Sequence, residues 1–193
     1  IALLFKEFQM RLFSILFVSL FFLNISSKGQ ESGQITVSLG YADSFHRQVG
    51  IEFSGEYEGK IIGEWTGLYA QTRTAYLNNY GSSFDGRDLF TSRYDLAIGI
   101  NQYLTPELSI WRPRVGLGVF ASWQDFEEDL TANSYRVTSE LSVGVEWGFM
   151  TLWEIDSFSW GFAYKGTYHK FQAFEENVRS YDNHFMFVCA YSF

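Results

Sequence analysis

Hydrophobic and polar residues alternate with a period of two along most of this chain, most clearly in its last stretch, HFMFVCAYSF. Phe185, Phe187, Tyr191 and Phe193 fall on one side of an extended strand. Small or mixed residues fall on the other side, because successive side chains of a strand point to opposite faces. The pattern predicts a β-strand with one broad apolar face.

The same alternation recurs in seven earlier segments, which gives eight predicted strands. Short turns and longer polar loops connect them, and the longest connection, 71–92, is rich in Asn, Ser, Gly and Asp. An even number of alternating segments, with no helical periodicity after residue 30, is typical of an up-and-down barrel. The predicted strands are 35–41, 49–57, 65–70, 94–101, 114–123, 135–149, 158–169 and 184–193. The predicted connections are 43–47, 58–60, 71–92, 105–107, 125–134, 150–157 and 171–181.

The two faces of these segments indicate whether the outside of the barrel contacts water or lipid. One face carries aromatic and branched aliphatic residues with almost no charge, and the other carries Gly, Ser, Thr and Ala with a few charges. A soluble barrel has its apolar face inside, whereas a membrane barrel has it outside. Small residues also suit the narrow lumen of eight strands. The sequence therefore predicts an all-β fold, an eight-stranded antiparallel up-and-down transmembrane β-barrel.

Composition agrees with this fold and excludes some functions. Of 193 residues, 20% are aromatic and 19% charged, and the mean hydropathy is −0.08, as expected when apolar and polar residues alternate. The net charge of −8 argues against nucleic-acid binding. Cys189 has no partner for a disulfide, and on the apolar face it is expected to act as a small filler facing lipid.

The first part of the chain predicts export. Met10 and Arg11 precede an apolar run of signal-peptide length, and small residues stand before a predicted cut after Gly29. A single membrane anchor is the alternative. We therefore predict that 1–29 comprises upstream residues and a secretory signal peptide, and that 30–193 forms the barrel.

Aromatic residues are expected at both ends of the apolar face. Amphipathic rings settle at lipid headgroups, so two girdles on one face indicate a bilayer. Ordinary β-propensity explains aromatic residues in strands but not their placement at the two ends. The predicted girdle residues are Tyr41, Trp65, Tyr69, Trp111, Trp123, Tyr135, Trp147, Trp160 and Tyr168.

Charges on the opposite face are expected inside the lumen. We expect Arg114 near Glu146, with Asp95 approaching it, and Lys165 near Ser142 and Glu140. Buried charges of both signs must pair, which favours a closed, salt-bridged lumen over an ion path. Glu56 and Glu64 are expected to be solvated at the mouth of the barrel. The predicted network comprises Glu52, Asp95, Arg114, Arg136, Glu140, Glu146 and Lys165.

The three histidines, His46, His169 and His184, are expected together near the loop end, beside Asp43 and Asp182. Such a group is a candidate for a metal site or for a His/Asp catalytic pair. Neither ligand spacing nor a placed nucleophile is evident, so histidines in water at the rim are the favoured interpretation. No metal, cofactor or catalytic residue is predicted, and His46, His169, His184 and Asp182 remain weak catalytic candidates.

The strand pattern and the aromatic C-terminal end together resemble small eight-stranded bacterial outer-membrane proteins of the OmpA/OmpX type, without a periplasmic domain. The resemblance covers residues 30–193 and implies an integral outer-membrane location with both termini periplasmic. It also implies that Tyr191 and Phe193 form an assembly signal, read by the barrel-insertion machinery.

Such barrels have many roles, so the fold does not choose the function. The sequence favours a non-enzymatic structural or interaction protein that presents extracellular loops. The expected partners are outer-membrane lipids, lipopolysaccharide and an extracellular protein or glycan bound through loop 71–92. A lipid-modifying enzyme of the lipid A deacylase or acyltransferase type is the first alternative, and a small pore is the second.

Overall fold

The computed structural model describes most of the chain from residue 33 onwards. The predicted signal peptide, His46, Glu64 and Glu140 lie outside the described residues. Within the described part, no helix is long and apolar enough to cross a membrane. The described ranges are 33–44, 48–62, 65–79, 89–106, 110–130, 133–138, 141–173 and 176–193.

Strands make up almost all of the described chain, and every neighbouring pair is antiparallel. The order around the sheet is β4-β3-β2-β1-β9-β8-β7-β5-β6, and β4 also pairs with β5, which closes the barrel. The strands are β1 (Gly33–Ser44), β2 (Gln48–Ile62), β3 (Thr66–Asn79), β4 (Leu89–Tyr103), β5 (Trp111–Leu130), β6 (Asn133–Thr138), β7 (Ser142–Ile155), β8 (Phe158–Ala173) and β9 (Glu176–Ser192).

Two of these segments occupy one position in the barrel wall. Both β6 and β7 pair with β5, and the register changes by one residue between Asp125↔Thr138 and Ser122↔Ser142. The two segments therefore act as one interrupted strand. The result is a closed antiparallel barrel of eight strands, and the predicted fold class is confirmed.

The first and last described strands close the barrel. Gly33 and Phe193 exchange two backbone hydrogen bonds of 3.0 Å each. From there β1 and β9 pair continuously up to Ser44↔Asp182. We call the end with Gly33 and Phe193 the terminal end, and the end with Ser44 and Asp182 the loop end.

The predicted connections were too long, because strand pairing depends on backbone hydrogen bonds and not on side-chain polarity. The predicted loop 71–92 was wrong: 71–79 belongs to β3 and 89–92 to β4, which leaves 80–88 outside the described residues. The predicted break 150–157 reduces to the two-residue turn Asp156–Ser157, where Asp156 has a φ of 57°. The predicted connections 58–60, 125–134 and 171–181 are also largely strand.

Most apolar side chains point outward and most polar ones inward, as predicted for a membrane barrel, although Phe120, Leu152 and Val188 are among the apolar side chains buried inside. Ile98 is 58% exposed, whereas its neighbour Ala97 is buried. On β3 the predicted faces were reversed: Leu68 is 50% exposed and Tyr69 only 3%. Apolar residues stand on both faces of that strand, so alternation alone could not orient it.

Glycines make room for the large side chains of the lumen. The ring of Tyr69 lies against Gly99 on β4 and Gly118 on β5, where any Cβ atom would collide with it. Phe120 lies against Gly144 on β7 in the same way. Each aromatic ring thus occupies a space left by a missing side chain on a neighbouring strand, which is how a narrow lumen is filled to close packing.

We predict that Gly118→Ala lowers the free energy of unfolding by about 1–3 kcal/mol, the typical cost of overpacking a filled interior. The added methyl group would meet Tyr69 and lie 2.7 Å from the carbonyl oxygen of Ile98. Urea unfolding in lipid or detergent measures the change. Gly55→Ala is the control, because its nearest neighbour, Thr72 Oγ1, is 3.9 Å away. Equal losses in the two variants would contradict the packing described for Tyr69.

Candidate functional site in the barrel lumen

Strand alternation directs a large set of charged side chains into the lumen, where they are buried. Charges in such a place are tolerated only when they are paired and hydrogen-bonded. They come from β2, β3, β4, β5, β7, β8 and β9, so they join strands that are far apart around the wall. The set comprises Glu52, Glu56, Glu58, Arg73, Arg93, Asp95, Arg112, Arg114, Glu146, Lys165 and Asp182.

Arg114 is the centre of the network at the terminal end. Its Nη1 atom donates to Glu58 Oε2 at 2.6 Å, and its Nη2 atom donates to Glu56 Oε1 at 2.7 Å. Nη1 also donates to Gln34 Oε1 and to the Tyr103 hydroxyl, both at 3.0 Å. One guanidinium on β5 therefore holds two carboxylates of β2, using the planar fork that suits arginine to this role.

Lys165 continues the network towards the middle of the lumen. Its ammonium donates to Glu56 Oε2 at 3.1 Å and to Gln71 Oε1 at 2.6 Å, and lies 3.8 Å from Glu146 Oε1. The Tyr69 hydroxyl donates to the same Glu146 oxygen at 2.6 Å. Tyr69 therefore gives the lumen a hydrogen-bond donor as well as a ring.

Two further arginines span the lumen towards the loop end. Arg73 and Arg93 each donate from Nε to one oxygen of Asp95, at 2.7 and 2.9 Å. Arg93 Nη1 also donates to Asp182 on β9, which stands on the opposite wall from β4. Both guanidinium groups lie 5.6 Å from the centre of the Phe120 ring, a cation–π distance.

The two described histidines lie inside the lumen and not in water at the rim, so that prediction was wrong. His184 is fully buried, and its Nδ1 atom lies 2.5 Å from Glu52 Oε2. His169 is 1% exposed, with Nε2 3.4 Å from Asp182 Oδ2 and Nδ1 3.2 Å from Ser142 Oγ. Both stand at inward positions of β8 and β9, where alternation places them.

Ser142, His169 and Asp182 contain the residue types of a hydrolase triad, yet their surroundings are those of a packed interior. All three are buried, and the Ser142 hydroxyl donates to the carbonyl oxygen of Ser122 at 3.2 Å. A nucleophilic serine needs open space beside its hydroxyl for the substrate atom that it attacks.

Among the described residues, no group of three or more His, Cys, Asp and Glu side chains could hold a metal ion.

The ion pairs differ from the predicted ones because the hairpin turns lie later in the sequence than predicted. Moving a turn by one residue shifts the register of its hairpin by two. Arg114 therefore stands opposite Met150, and Lys165 opposite Gly148. Arg114 binds Glu56 and Glu58, not Glu146 or Asp95.

Several members of the network were missed or misplaced. Glu58 and Arg73 were assigned to connections, and Glu56 was expected in water, although it is buried between Arg114 and Lys165. Alternation could have shown that Arg73 shares a face with Ala75 and Leu77 on β3, but not that this face is the inner one. The side chain of Arg136 lies outside the described residues.

The predicted girdle residues mostly lie on the outer surface. Tyr69 is a correction, since it lies inside the lumen, and the side chain of Tyr135 is outside the described set. At the C-terminal end Tyr191 and Phe193 are exposed, with ring centres 6.4 Å apart. Tyr41, Trp65, Trp111, Trp147 and Trp160 are exposed, and Trp123 and Tyr168 are half-buried.

Comparisons with known proteins agree with this geometry. No protein-family model matches the chain, and no curated protein matches it. Solved structures do match, and the three described next each cover most of both chains.

Neisserial surface protein A has 13% identity and a TM-score of 0.57, over 84% of this chain and 97% of that one. A major outer membrane protein of Thermus thermophilus has 9% identity and a TM-score of 0.61, over 86% and 100%. The outer membrane protein OprG of Pseudomonas aeruginosa has 13% identity and a TM-score of 0.54, over 84% and 93%. The chain therefore has the fold of small bacterial outer-membrane β-barrels.

We predict that Arg114→Ala lowers the free energy of unfolding by about 3–5 kcal/mol, because Glu56 and Glu58 would remain buried without their shared cation. Arg112→Ala is the comparison and should cost about 1–2 kcal/mol, because it removes a cation–π contact of 4.4 Å with Tyr103 but leaves no fully buried carboxylate: its partner Glu154 is partly exposed and 3.6 Å away. Urea unfolding measures both.

Adding Glu58→Gln to Arg114→Ala should recover part of the loss, because it removes one of the unpaired charges. Equal costs for Arg112→Ala and Arg114→Ala, or no recovery in the double variant, would contradict the central role of Arg114.

Proposed function

We propose that this protein is an integral outer-membrane barrel with a closed lumen, which acts as a structural or interaction protein through its loop end. The observation that carries the proposal is the combination of an apolar outer surface with a lumen filled by ion pairs. In the proposal, the outer wall contacts lipid and the filled interior transports nothing. Its accessible polar surface is then limited to its two ends.

The proposed orientation uses the strand count. Both termini of an even-stranded barrel stand at one end, which in the proposal is periplasmic, with the loop end outside the cell. Partners would include outer-membrane lipids, lipopolysaccharide and the barrel-assembly machinery, which would read Tyr191 and Phe193. An extracellular protein or glycan would bind at the loop end, through residues 80–88 in place of the longer segment first predicted.

A pore is the less favoured alternative because the lumen is crossed by side chains at every level. Arg114 joins β5 to β2, Tyr69 joins β3 to β7, and Arg93 joins β4 to β9. Eight strands enclose only enough space for such side chains. An aqueous path would require several of these ion pairs to separate together.

A lipid-modifying enzyme has one observation in its favour, the contact of Ser142 with His169 and of His169 with Asp182. An outer-leaflet lipid would have to reach this serine from outside the wall, yet all three residues are buried in the lumen. A structural role explains the same contacts, because they join β7, β8 and β9 through their side chains. We therefore favour the non-enzymatic role.

The proposed location predicts the behaviour of the expressed protein. It should fractionate with outer membranes and migrate faster on a gel before boiling than after, because a closed barrel resists detergent at room temperature. Differential centrifugation and paired gel lanes measure this. Recovery of the folded protein in the soluble periplasmic fraction would contradict the proposal.

The proposed role at the loop end predicts that residues 80–88 can be replaced by a two-residue Asn-Gly turn without loss of the barrel. The shortened protein should keep its heat-dependent gel shift but lose binding of whole cells to host proteins or glycans immobilised on an array. Replacing Asp156–Ser157 by Asn-Gly at the terminal end is the control and should leave binding unchanged. Unchanged binding by the shortened protein would contradict the interaction role of this segment.

A further inference from the structure

One buried carboxylate of the lumen has a histidine as its ion-pair partner. Glu52 on β2 is fully buried, and its Oε2 atom lies 2.5 Å from Nδ1 of His184 on β9. Among the described side chains, no lysine or arginine lies within ion-pair distance of Glu52. A buried carboxylate without a cation is costly, so the charge of Glu52 depends on the proton of His184.

The neighbouring arginines are already engaged by other carboxylates. Arg73 and Arg93 each donate from Nε to Asp95, and Arg93 also pairs with Asp182. Two guanidinium groups therefore serve Asp95 and Asp182, and the third carboxylate of this cluster, Glu52, is left to His184.

The other charged groups that face His184 are held by partners of their own. Lys165 stands directly opposite His184 on β8, but its ammonium donates to Glu56 and Gln71. The remaining titratable groups beside the pair are His169 on β8 and Asp182 on β9, which contact each other at 3.4 Å.

The hydrogen bonds of His184 indicate which of its ring nitrogens carry protons. An ionised carboxylate only accepts hydrogen bonds, so Nδ1 must donate to Glu52. Nε2 lies 3.3 Å from Thr167 Oγ1, and the single hydrogen of that hydroxyl donates to Asp182 Oδ2, also at 3.3 Å. Nε2 must then donate to Thr167, and an imidazole with protons on both nitrogens is a cation.

The Glu52–His184 pair crosses the closing seam of the barrel, which is the pairing of β1 with β9. The two residues stand on β2 and β9, on either side of β1. The inward residues of β1 between them, Gly40 and Ala42, carry no charge and leave room for the contact. The other end of the seam is held by the backbone hydrogen bonds of Gly33 with Phe193, which involve no titratable side chain.

We propose that His184 is an imidazolium in the folded barrel, and that its ion pair with Glu52 makes the loop end of the closing seam sensitive to pH. Loss of the proton leaves Glu52 buried without a cation and removes the contact across β1. The inference rests on the geometry of the lumen and goes beyond the proposed role in recognition.

The direction of the pH effect follows from proton binding. In the unfolded chain the histidine is exposed to water and loses its proton near about pH 6.5. Above that pH the folded barrel holds one proton more than the unfolded chain. The free energy of unfolding therefore falls as the pH rises, by up to about tenfold in the unfolding equilibrium constant for each pH unit.

The first test is urea unfolding of the full-length barrel in detergent at pH 7 and pH 8. The equilibrium constant for unfolding of the wild type should rise roughly fivefold to tenfold between these values, close to the limit for one proton. His184→Gln and Glu52→Gln should each lose this rise, because neither keeps the ion pair that holds the proton. His169→Gln is the matched control and should keep the rise.

The second test needs no stable variant. Nitrogen-15 NMR of the folded wild type, labelled at histidine, should show both ring nitrogens of His184 protonated at pH 7. Amide hydrogen exchange, corrected for its intrinsic dependence on pH, then locates the effect. Ala42, at the loop end of the seam, should lose more protection between pH 7 and pH 8 than Thr36, near the terminal end.

Three results would overturn the inference: a neutral imidazole for His184 at pH 7, a rise in the unfolding constant of His184→Gln equal to that of the wild type, or equal losses of protection at Ala42 and Thr36. Each of these results leaves the proposed membrane location intact, because fractionation of the wild type decides that separately. Absence of the wild type from the membrane fraction refutes the proposed function and not the ion pair.

Discussion

The structure depends on one constraint: the lumen of eight strands is too narrow for water to solvate the charges that the strands direct into it. Each buried cation must therefore find its anions on other strands. Arg114 joins β5 to Glu56 and Glu58 on β2, and Arg93 joins β4 to Asp182 on the opposite wall. Removing one partner leaves a charge that no solvent can reach. The ion pairs specify which strands face each other across the barrel, as well as contributing to stability.

Packing in the lumen follows from the same constraint. Two large aromatic side chains enter where other strands offer glycines, as Tyr69 does over Gly99 and Gly118. Tyr69 then donates a hydrogen bond to Glu146, which lies close to Lys165. Shape and charge are thus coupled, because the ring fits only beside glycines and its hydroxyl reaches the carboxylate only from that position. This coupling explains why β3 directs an aromatic residue inward, against the general rule of the barrel wall.

Much of the fold could be predicted from the sequence, because alternation is a local property. The segment from Phe158 to His169 shows both faces without reference to any other strand. The pairing of charges could not be predicted in the same way, because it depends on the register, and each residue of error in a turn moves the register by two. The turn at Asp156–Ser157 lies later than predicted, and that alone places Lys165 opposite Gly148 and away from its predicted neighbour Ser142. Arg73 was missed because its polar surroundings were interpreted as a loop.

The closed lumen also limits where function can reside. Transport through the lumen, or catalysis by the side chains inside it, needs a path to the interior, and the histidines most suggestive of chemistry, His169 and His184, are held there by Asp182 and Glu52. A side chain that already satisfies a buried carboxylate acts as a tie between strands, and its chemistry is not available to a substrate outside the wall. In the proposed role, recognition is then left to the outer surface and the two ends, where side chains are not already engaged across the lumen.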